Sequence, residues 1–293
     1  MCGIAGMFDL AGKREFDGEL LHRMNESQFH RGPDEGGVHL EPGVGLAHRR
    51  LSIIDLSSGQ QPMFSADGRL CVVFNGEIYN FMDLAEDLRA KGYSFRTHCD
   101  TEVILYAWRE WGEACVDHFR GMFAFALYDR DRDCLFLARD RLGIKPLFYA
   151  VLPDGQLIFG SELKVLKQHP KLPREVDAQA IEDYFALGYV PEPRTIYHGV
   201  HKLPPGHVLL YERGQPLPSP RQYWDLHFEP EPVADEHALR EQLIERMREA
   251  VDIRLVAEVP LGAFLSGGVD SSAVVAMMAQ LQRGGLSLTR TAC

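Results

Sequence analysis

Two segments of this chain carry residue types that can do covalent or phosphate chemistry, and they lie near its opposite ends. At the start, Met1-Cys2-Gly3-Ile4 puts a thiol next to the initiator methionine. A residue as small as Cys2 permits removal of Met1, which leaves the cysteine with its own free α-amine. A free thiol titrates near about 8.5 and an α-amine near about 7.7 to 8.0, so the amine can take the thiol proton, through a water, at neutral pH. Towards the other end, Ser266-Gly-Gly-Val-Asp-Ser-Ser272 follows an apolar run and precedes a helical pattern. Bare backbone N–H groups and hydroxyls at a helix N-terminus favour an anion, and the loop reads as a phosphate site. It contains no Gly-Lys-[Ser/Thr], so cleavage at a γ-phosphate is not its natural chemistry.

A thiolate that attacks an amide creates an oxyanion, which needs donors fixed beforehand. Asn75-Gly76, directly after the apolar run Leu70-Cys-Val-Val-Phe74, offers a side-chain amide and an unobstructed backbone N–H. A substrate with an α-amino and an α-carboxylate group also needs one cation and one anion. Arg50, ahead of Leu51-Ser-Ile-Ile-Asp55, could give the guanidinium fork, and Asp100 or Glu77 could hold the ammonium.

The elements that must position these groups are short strands followed by helices. Up to about Gly160, the apolar runs Ile4 to Phe8, Gly45 to Ala47, Leu70 to Phe74, Phe123 to Tyr128, Leu135 to Ala138, Leu147 to Val151 and Leu157 to Phe159 are bounded by Gly, Asp and Pro. Asp83 to Lys91 and Glu102 to Trp111 carry apolar residues three and four apart and predict amphipathic helices. The mixture predicts sheets with helices on their outer faces. Nine of the 17 prolines fall between Pro191 and Pro232, which predicts a connecting region over 191–234. A helix is expected from near Asp235, with Leu239, Leu243, Met247, Val251 and Leu255 on one face. Val259 to Leu265 is expected as a strand, Ser272 to Gln282 as a helix closed by Gly284-Gly285, and Leu286 to Cys293 as the place of a second strand. These few elements cannot close a doubly wound sheet, so the second domain is expected to be incomplete.

Composition narrows the function classes. The 293 residues are 45% hydrophobic and 25% charged, which is globular composition. The net charge of -11 has no basic stripe, which argues against nucleic acid and anionic membrane as partners. No run reaches the ~18 apolar residues of a membrane span, and the N-terminus lacks a signal-peptide pattern, so a cytoplasmic location is expected. The six cysteines form neither CxxC pairs nor a zinc pattern, and Cys71 and Cys134 sit in strand-like runs as small core hydrophobes. His198 and His201 read as part of a polar loop rather than a metal site.

The motifs in order are Cys2-Gly-Ile, His30-Arg-Gly-Pro-Asp34, His48-Arg-Arg-Leu-Ser-Ile-Ile-Asp55, Phe74-Asn-Gly-Glu-Ile-Tyr-Asn80, Asp100-Thr-Glu-Val103, Gly121-Met-Phe-Ala-Phe-Ala-Leu-Tyr-Asp129, Ala138-Arg-Asp-Arg-Leu-Gly-Ile-Lys-Pro-Leu-Phe-Tyr149 and Gly160-Ser-Glu-Leu-Lys164. With them the sequence resembles the class II, N-terminal-nucleophile glutamine amidotransferases, and within these the asparagine synthetase family. The resemblance covers all but the last ten residues. It implies an α+β fold. A four-layer αββα sandwich over 2–190 would be followed, after the connecting region, by the start of an α/β doubly wound ATP-pyrophosphatase domain over 235–293. It also implies that Cys2 is the nucleophile, that Asn75 and Gly76 form the oxyanion hole, and that Arg50, the backbone near Ile54, Glu77 and Asp100 bind glutamine.

The glycine loop is similar to the pyrophosphate loop of ATP pyrophosphatases. By that resemblance Ser266, Gly267, Gly268, Val269, Asp270, Ser271 and Ser272 hold pyrophosphate, Leu265 lies near the adenosine, and Asp270 is a ligand of Mg2+. The implied reaction releases ammonia from glutamine at Cys2. The ammonia passes internally to an acyl-adenylate made from aspartate and ATP, giving asparagine, glutamate, AMP and pyrophosphate. The partners implied are glutamine, ATP and aspartate or another carboxylate acceptor, with a homodimer as the assembly open to it. Three alternatives stay open: a family member with a different acceptor, such as an exopolysaccharide component; a glutaminase alone; and a glutamine- or nucleotide-binding module. The Ser-Gly-Gly-Val-Asp-Ser-Ser loop argues against a phosphoribosyl-pyrophosphate or fructose-6-phosphate amidotransferase.

Overall fold

The apolar runs become strands because both faces of each find a cover. In β1 (Gly3–Asp9), Ile4 and Phe8 join one buried cluster and Ala5 and Met7 another, the period-two alternation of a strand between two apolar layers. The other strands are β2 (Glu35–Glu41), β3 (Val44–Arg50), β4 (Met63–Phe64), β5 (Leu70–Ile78), β6 (Gly121–Asp129), β7 (Cys134–Arg139), β8 (Phe148–Val151), β9 (Gln156–Gly160), β10 (Val200–Lys202), β11 (His207–Glu212) and β12 (Arg221–Gln222). In this computed structural model, which describes residues 1–230 and 235–282, they form two six-stranded antiparallel sheets. Their orders are β10-β8-β9-β1-β3-β2 and β12-β11-β7-β6-β5-β4.

The sheets pack face to face. Ile4, Phe8, Val44, Leu46, Leu157 and Phe159 of the first interdigitate with Cys71, Val73, Ala124, Ala126, Leu135 and Leu137 of the second. Helices cover the outer faces. Leu20, Leu21 and Met24 of α1 (Gly18–Glu26) pack on Ala5, Met7 and Ala47. On the other side lie α2 (Phe81–Ala90) and α3 (Asp100–Trp111), whose Trp108 ring lies 4.8 Å from that of Phe136 and donates Nε1–H to Asp129 at 2.8 Å. The short α4 (Cys115–His118) follows α3, and α5 (Leu163–Leu166) adds Val165 and Leu166 to the α1 side. The result is four layers, helices, sheet, sheet, helices. Cys71 and Cys134 are buried within it as expected.

The structure divides into two compact units, Met1–Ser52 with Ser57–Asp225, and Ile53–Leu56 with the residues from Leu226 onward. Three strands lie within the expected connecting region. Beyond α6 (Ala178–Leu187), β10 pairs with β8, β11 with β7, and β12 with β11. The prolines do not prevent this, because Pro204, Pro205 and Pro216 lie between strands, where no ladder hydrogen bond is lost.

In the second unit α7 (Glu236–Asp252) begins at Asp235, whose Oδ1 accepts from the N–H groups of His237 and Ala238. α8 (Val269–Gln282) begins three residues before its expected start. The strand expected over Val259 to Leu265 is absent, and that expectation is corrected. A lone strand leaves its N–H and C=O groups unpaired, and among the described residues of this unit no second strand pairs with it. The expected helix stop at Gly284-Gly285 and the strand over 286–293 lie outside the described residues.

One side chain fastens the two sheets at the end away from Cys2. Arg213, just past β11, donates to the carbonyls of Asp9, the last residue of β1, and of Gly12 beyond it, pairs with Asp133 at 2.9 Å, and lies 4.3 Å from the centre of the Phe8 ring. Arg213→Ala leaves the two carbonyls without a charged donor and leaves Asp133 to Lys13, 3.5 Å away. It is expected to destabilise the first unit by about 2–3 kcal/mol, a fall of about 5–10 °C in Tm. An unchanged thermal transition would refute the clasp.

Candidate active site

The polar end of the inter-sheet layer is set by strand register. Gly3 pairs with Arg49, so Cys2, just ahead of β1, lies beside the end of β3. Leu51 N–H donates to Cys2 Sγ at 3.4 Å. The segment His30 to Asp34 braces both sides of this contact. Arg31 Nε donates to Cys2 O at 2.9 Å and its Nη1 to Glu162 at 3.1 Å. Asp34 accepts from Ser52 N–H at 2.8 Å and donates its own N–H to Arg50 O. Gly32 lies so close to β3 that a Cβ there would stand 2.3 Å from the Arg49 carbonyl carbon. Glycine is required by that approach rather than by a turn.

β5 brings the other candidates. Cys71 and Val73 face the first sheet, so Asn75 and Glu77 face it too, at the end where Cys2 lies. Asn75 is fully buried, and neither Oδ1 nor Nδ2 has a hydrogen-bond partner. A buried carboxamide costs free energy unless something completes it. Gly76 is held by space, since a Cβ would stand 2.3 Å from Met122 O and 2.7 Å from Phe123 Cα.

The Gly76 N–H direction follows from the ladder. β4 pairs with β5 only at Met63↔Val72 and Phe64↔Cys71. Backbone groups of Phe74, Gly76 and Ile78 therefore point to an edge where β4 has ended. Phe123 bonds through its N–H and O to Asp140, on its far side from Gly76, as that geometry requires. Along this edge Phe74 N–H donates to Gln61 Oε1 at 2.7 Å, Phe74 O accepts from His48 Nε2 at 3.0 Å, and Ile78 N–H donates to Asp100 Oδ2 at 3.0 Å. The Gly76 N–H lies between two satisfied neighbours and faces the open edge.

Charge is concentrated here. Arg50 and Asp100 are buried, and Arg50 Nη1 pairs with Glu35 at 3.1 Å. Arg50, Glu35, Gly36, Gly37, His48, Gln60 and Gln61 line a cavity of about 260 Å³. Burial pushes the Asp100 carboxyl up to about 6, against the N–H of Ile78 and the Cys99 thiol that favour its charged form. Burial pushes the Cys2 thiol up, opposed by the Leu51 N–H and by Arg50, while Asp100 adds to the rise. His48 is pushed down to about 3 by burial and is neutral, its Nε2 carrying the proton given to Phe74 O. Burial also lowers the ammonium pKa of Lys145, on which Cys2 and Glu77 act in the opposite sense.

Cys2, Arg50, Asn75, Gly76, Glu77 and Asp100 thus belong to one unit, at the end of the sandwich where β1, β3 and β5 meet. Ile54 falls in Ile53–Leu56 of the second unit, where the N–H groups of Asp55 and Leu56 donate to Glu258. Sequence reasoning assigned no role to Gln61, His48, Glu162 or Lys145. His48, Glu162 and Lys145 lie inside motifs that were quoted whole. The signal for Gln61 is the proline after it, which has no N–H to extend β4.

In the second unit Gly267 adopts φ +83, and the loop folds on itself ahead of α8. Ser266 Oγ lies 3.0 Å from Ser271 Oγ, and Ser272 Oγ donates to Gly268 O at 2.8 Å. Asp270 sits in the first turn of α8, Val269 opens that helix, and Leu265 is exposed. Three hydroxyls, a helix N-terminus and one carboxylate suit a phosphate accompanied by a hard cation. Among the described residues no cluster of three acidic, histidine or cysteine side chains could hold a metal unaided, so most of the oxygen ligands would have to come from the phosphates and water.

Comparison with known proteins gives one family match over each part of the chain. The glutamine amidotransferase domain profile matches residues 1–224 and the asparagine synthase profile residues 242–291. The chain is 38% identical over 290 residues to asparagine synthetase [glutamine-hydrolyzing] 3 of Bacillus subtilis, covering 95% of this chain and 45% of that protein. It is 37% identical over 299 residues to putative asparagine synthetase [glutamine-hydrolyzing] 2 of Methanocaldococcus jannaschii, covering 95% and 57%. It spans about half the length of these relatives. The solved glutamine phosphoribosylpyrophosphate amidotransferase from Bacillus subtilis superposes with a TM-score of 0.54 at 16% identity, covering 95% of this chain and 64% of that one, and shares its fold. With that domain profile matched over residues 1–224 of its 293, the chain belongs to the glutamine amidotransferase domain family.

Proposed function

We propose that this chain carries the glutaminase site, and the beginning of the synthetase unit, of a glutamine-hydrolysing asparagine synthetase. The observation that carries the reading is the pair of donors at Asn75 and Gly76. One is a buried carboxamide without a partner and the other an N–H aimed at an open strand edge, at the same end of the sandwich as Cys2.

The chemistry follows from the groups present. With Met1 attached, the nitrogen of Cys2 is an amide and cannot act as a base, so loss of Met1 is part of the reading. The freed α-amine takes the thiol proton, and the thiolate adds to the side-chain amide carbon of glutamine. Asn75 Nδ2 and Gly76 N–H hold the oxyanion while the carbon–nitrogen bond breaks and the proton returns to the departing ammonia. Water then releases glutamate from the thioester. Arg50 exchanges part of its pairing for the substrate carboxylate, and Asp100 with Glu77 receives the ammonium. Ile54 would add backbone contacts.

In the second unit Ser266, Gly267, Gly268, Val269, Ser271 and Ser272 would cradle the phosphates of ATP, with Leu265 beside the adenosine and Asp270 on Mg2+. ATP bound there supplies the adenylyl group that activates the acceptor carboxylate, aspartate in this reading. Ammonia kept inside the protein reaches it at a high effective concentration. The asparagine synthase match over 242–291 supports this half. Among the described residues no helix is long and apolar enough to cross a membrane. A cytoplasmic site of action and a homodimer are parts of the same proposal.

The protein, freed of Met1 as checked by mass, is to be incubated with glutamine, aspartate and Mg-ATP while glutamate, AMP and asparagine are followed. Cys2→Ala is expected to abolish glutamate release with an unchanged thermal transition, and continued release would refute the nucleophile. Asn75→Ala is expected to lower kcat by roughly two to three orders of magnitude. An effect confined to KM would count against the oxyanion role.

Asp100 makes the reading pH-dependent. Its folded pKa, about 6, lies above the unfolded value of about 3.9. The KM for glutamine should rise as pH falls through about 6, since the protonated acid no longer attracts the ammonium. The same elevation means that Asp100 favours the fold below about pH 4 and that this contribution is lost as pH rises through 6. Asp100→Asn is therefore expected to raise Tm near pH 8 while destroying glutamine binding. A Tm that falls there would contradict the assignment.

A further inference from the structure

The edge of β5 on either side of Gly76 is tied by a short chain of side-chain hydrogen bonds, of which the reaction outlined above uses only Asp100. Extending the β4–β5 register from Met63↔Val72 puts Gln61 opposite Phe74. There a side chain stands in for the missing strand, since Gln61 Oε1 accepts the Phe74 N–H at 2.7 Å. The other end of the same carboxamide, Nε2, donates to Thr101 Oγ1 at 3.2 Å. Thr101 is the second residue of α3 and the immediate neighbour of Asp100. Cys99 Sγ lies 3.4 Å from Thr101 Oγ1 and 3.5 Å from Asp100 Oδ1, and Asp100 Oδ2 accepts the N–H of Ile78 at 3.0 Å. The path leaves β5 at Phe74, crosses to the N-terminus of α3 and returns to β5 at Ile78. The residue it brackets is Gly76. Gln61, Thr101, Cys99 and Asp100 are all buried, where such bonds are hard for water to replace.

We propose that Gln61 and Thr101 are positioning residues for the oxyanion, together fixing the Gly76 N–H by tying Phe74 on one side to the helix that carries Asp100 on the other. The inference rests on the glutaminase reading. Its content is geometric. An oxyanion donor must be in place before charge develops, and Gly76, supported by β6 on one side only, has no side chain and no strand on its outer edge to fix the direction of its N–H. Gln61 is suited to the task because one amide both accepts from the strand and donates to the helix. A carboxylate there would keep both contacts, by accepting the Thr101 O–H, whereas the thioether of a methionine has no donor and only a weak acceptor.

The test uses the whole chain after Met1 removal, with glutamine hydrolysis and thermal unfolding measured for Gln61→Met, Thr101→Val, the double variant and Thr101→Ser. The second probe is glutamate γ-semialdehyde. The Cys2 thiol adds to its aldehyde carbon and the carbonyl oxygen, which takes the thiol proton or stays anionic, occupies the hole. A displaced Gly76 N–H lowers kcat and weakens the aldehyde by the same factor, tenfold or more on the scale of roughly 10²–10³ for a lost donor. KM for glutamine should stay within about twofold. The double variant should be no worse than either single one, and Thr101→Ser, which keeps the hydroxyl, should recover most of the kcat lost in Thr101→Val.

A kcat unchanged in folded Gln61→Met and Thr101→Val would overturn the inference while leaving the glutaminase reading intact. So would losses that track Tm, with kcat, KM and aldehyde affinity all moving together, because a merely structural role predicts that pattern. If Gln61→Met fails to fold, Thr101→Val against Thr101→Ser decides alone. Absence of glutamate release from the unaltered protein would overturn the glutaminase reading and this inference with it.

Discussion

The early end of β4 governs the site. With only Met63 and Phe64 paired to β5, the outer edge of β5 from Phe74 to Ile78 has no strand to bond. Unpaired edge groups are costly when buried. Gln61 and His48 satisfy Phe74 and Asp100 satisfies Ile78, while Gly76 is left to present its N–H. A longer β4 would stabilise the sheet and remove the donor. The open edge is thus a local loss of sheet structure kept where charge must be bound.

The same trade-off recurs in the charges. Asp100 is a buried acid whose ionised form is held mainly by one backbone N–H and a thiol, and an apolar replacement of similar shape would suit the fold better. Arg50 is buried and pairs with Glu35, a partner that keeps the guanidinium oriented. Cys2 sits where burial opposes thiolate formation and Arg50 and the Leu51 N–H favour it. The surrounding sandwich supplies the rigidity, through two apolar layers and the Arg213 clasp at its other end.

Most of the strands up to Gly160 were legible because period-two alternation and terminal Gly or Asp residues are local signals. β1, β3, β5, β6, β7 and β9 contain the runs expected of them, and β8 contains its run but for Leu147. β10, β11 and β12 were hidden among prolines, since composition reports where a ladder bond is impossible and not where the chain between prolines will pair. Val259 to Leu265 failed in the opposite direction. Its apolar content suits a strand, but a strand exists only beside another.

The site candidates Cys2, Asn75, Gly76, Arg50, Glu77 and Asp100 were chosen by residue type and motif, and residue type is enough to say which groups can attack an amide, hold an oxyanion or pair with an amino acid. By itself the sequence determined that chemical inventory, the alternating patterns that make a two-sheet core, and the family. Tertiary structure alone decided that β4 stops opposite Val72, that Gln61 and Thr101 bridge the gap, and that burial raises Asp100 while keeping His48 neutral. These are relations between segments far apart in the chain, and hydrogen-bond direction and burial exist only once those segments have met.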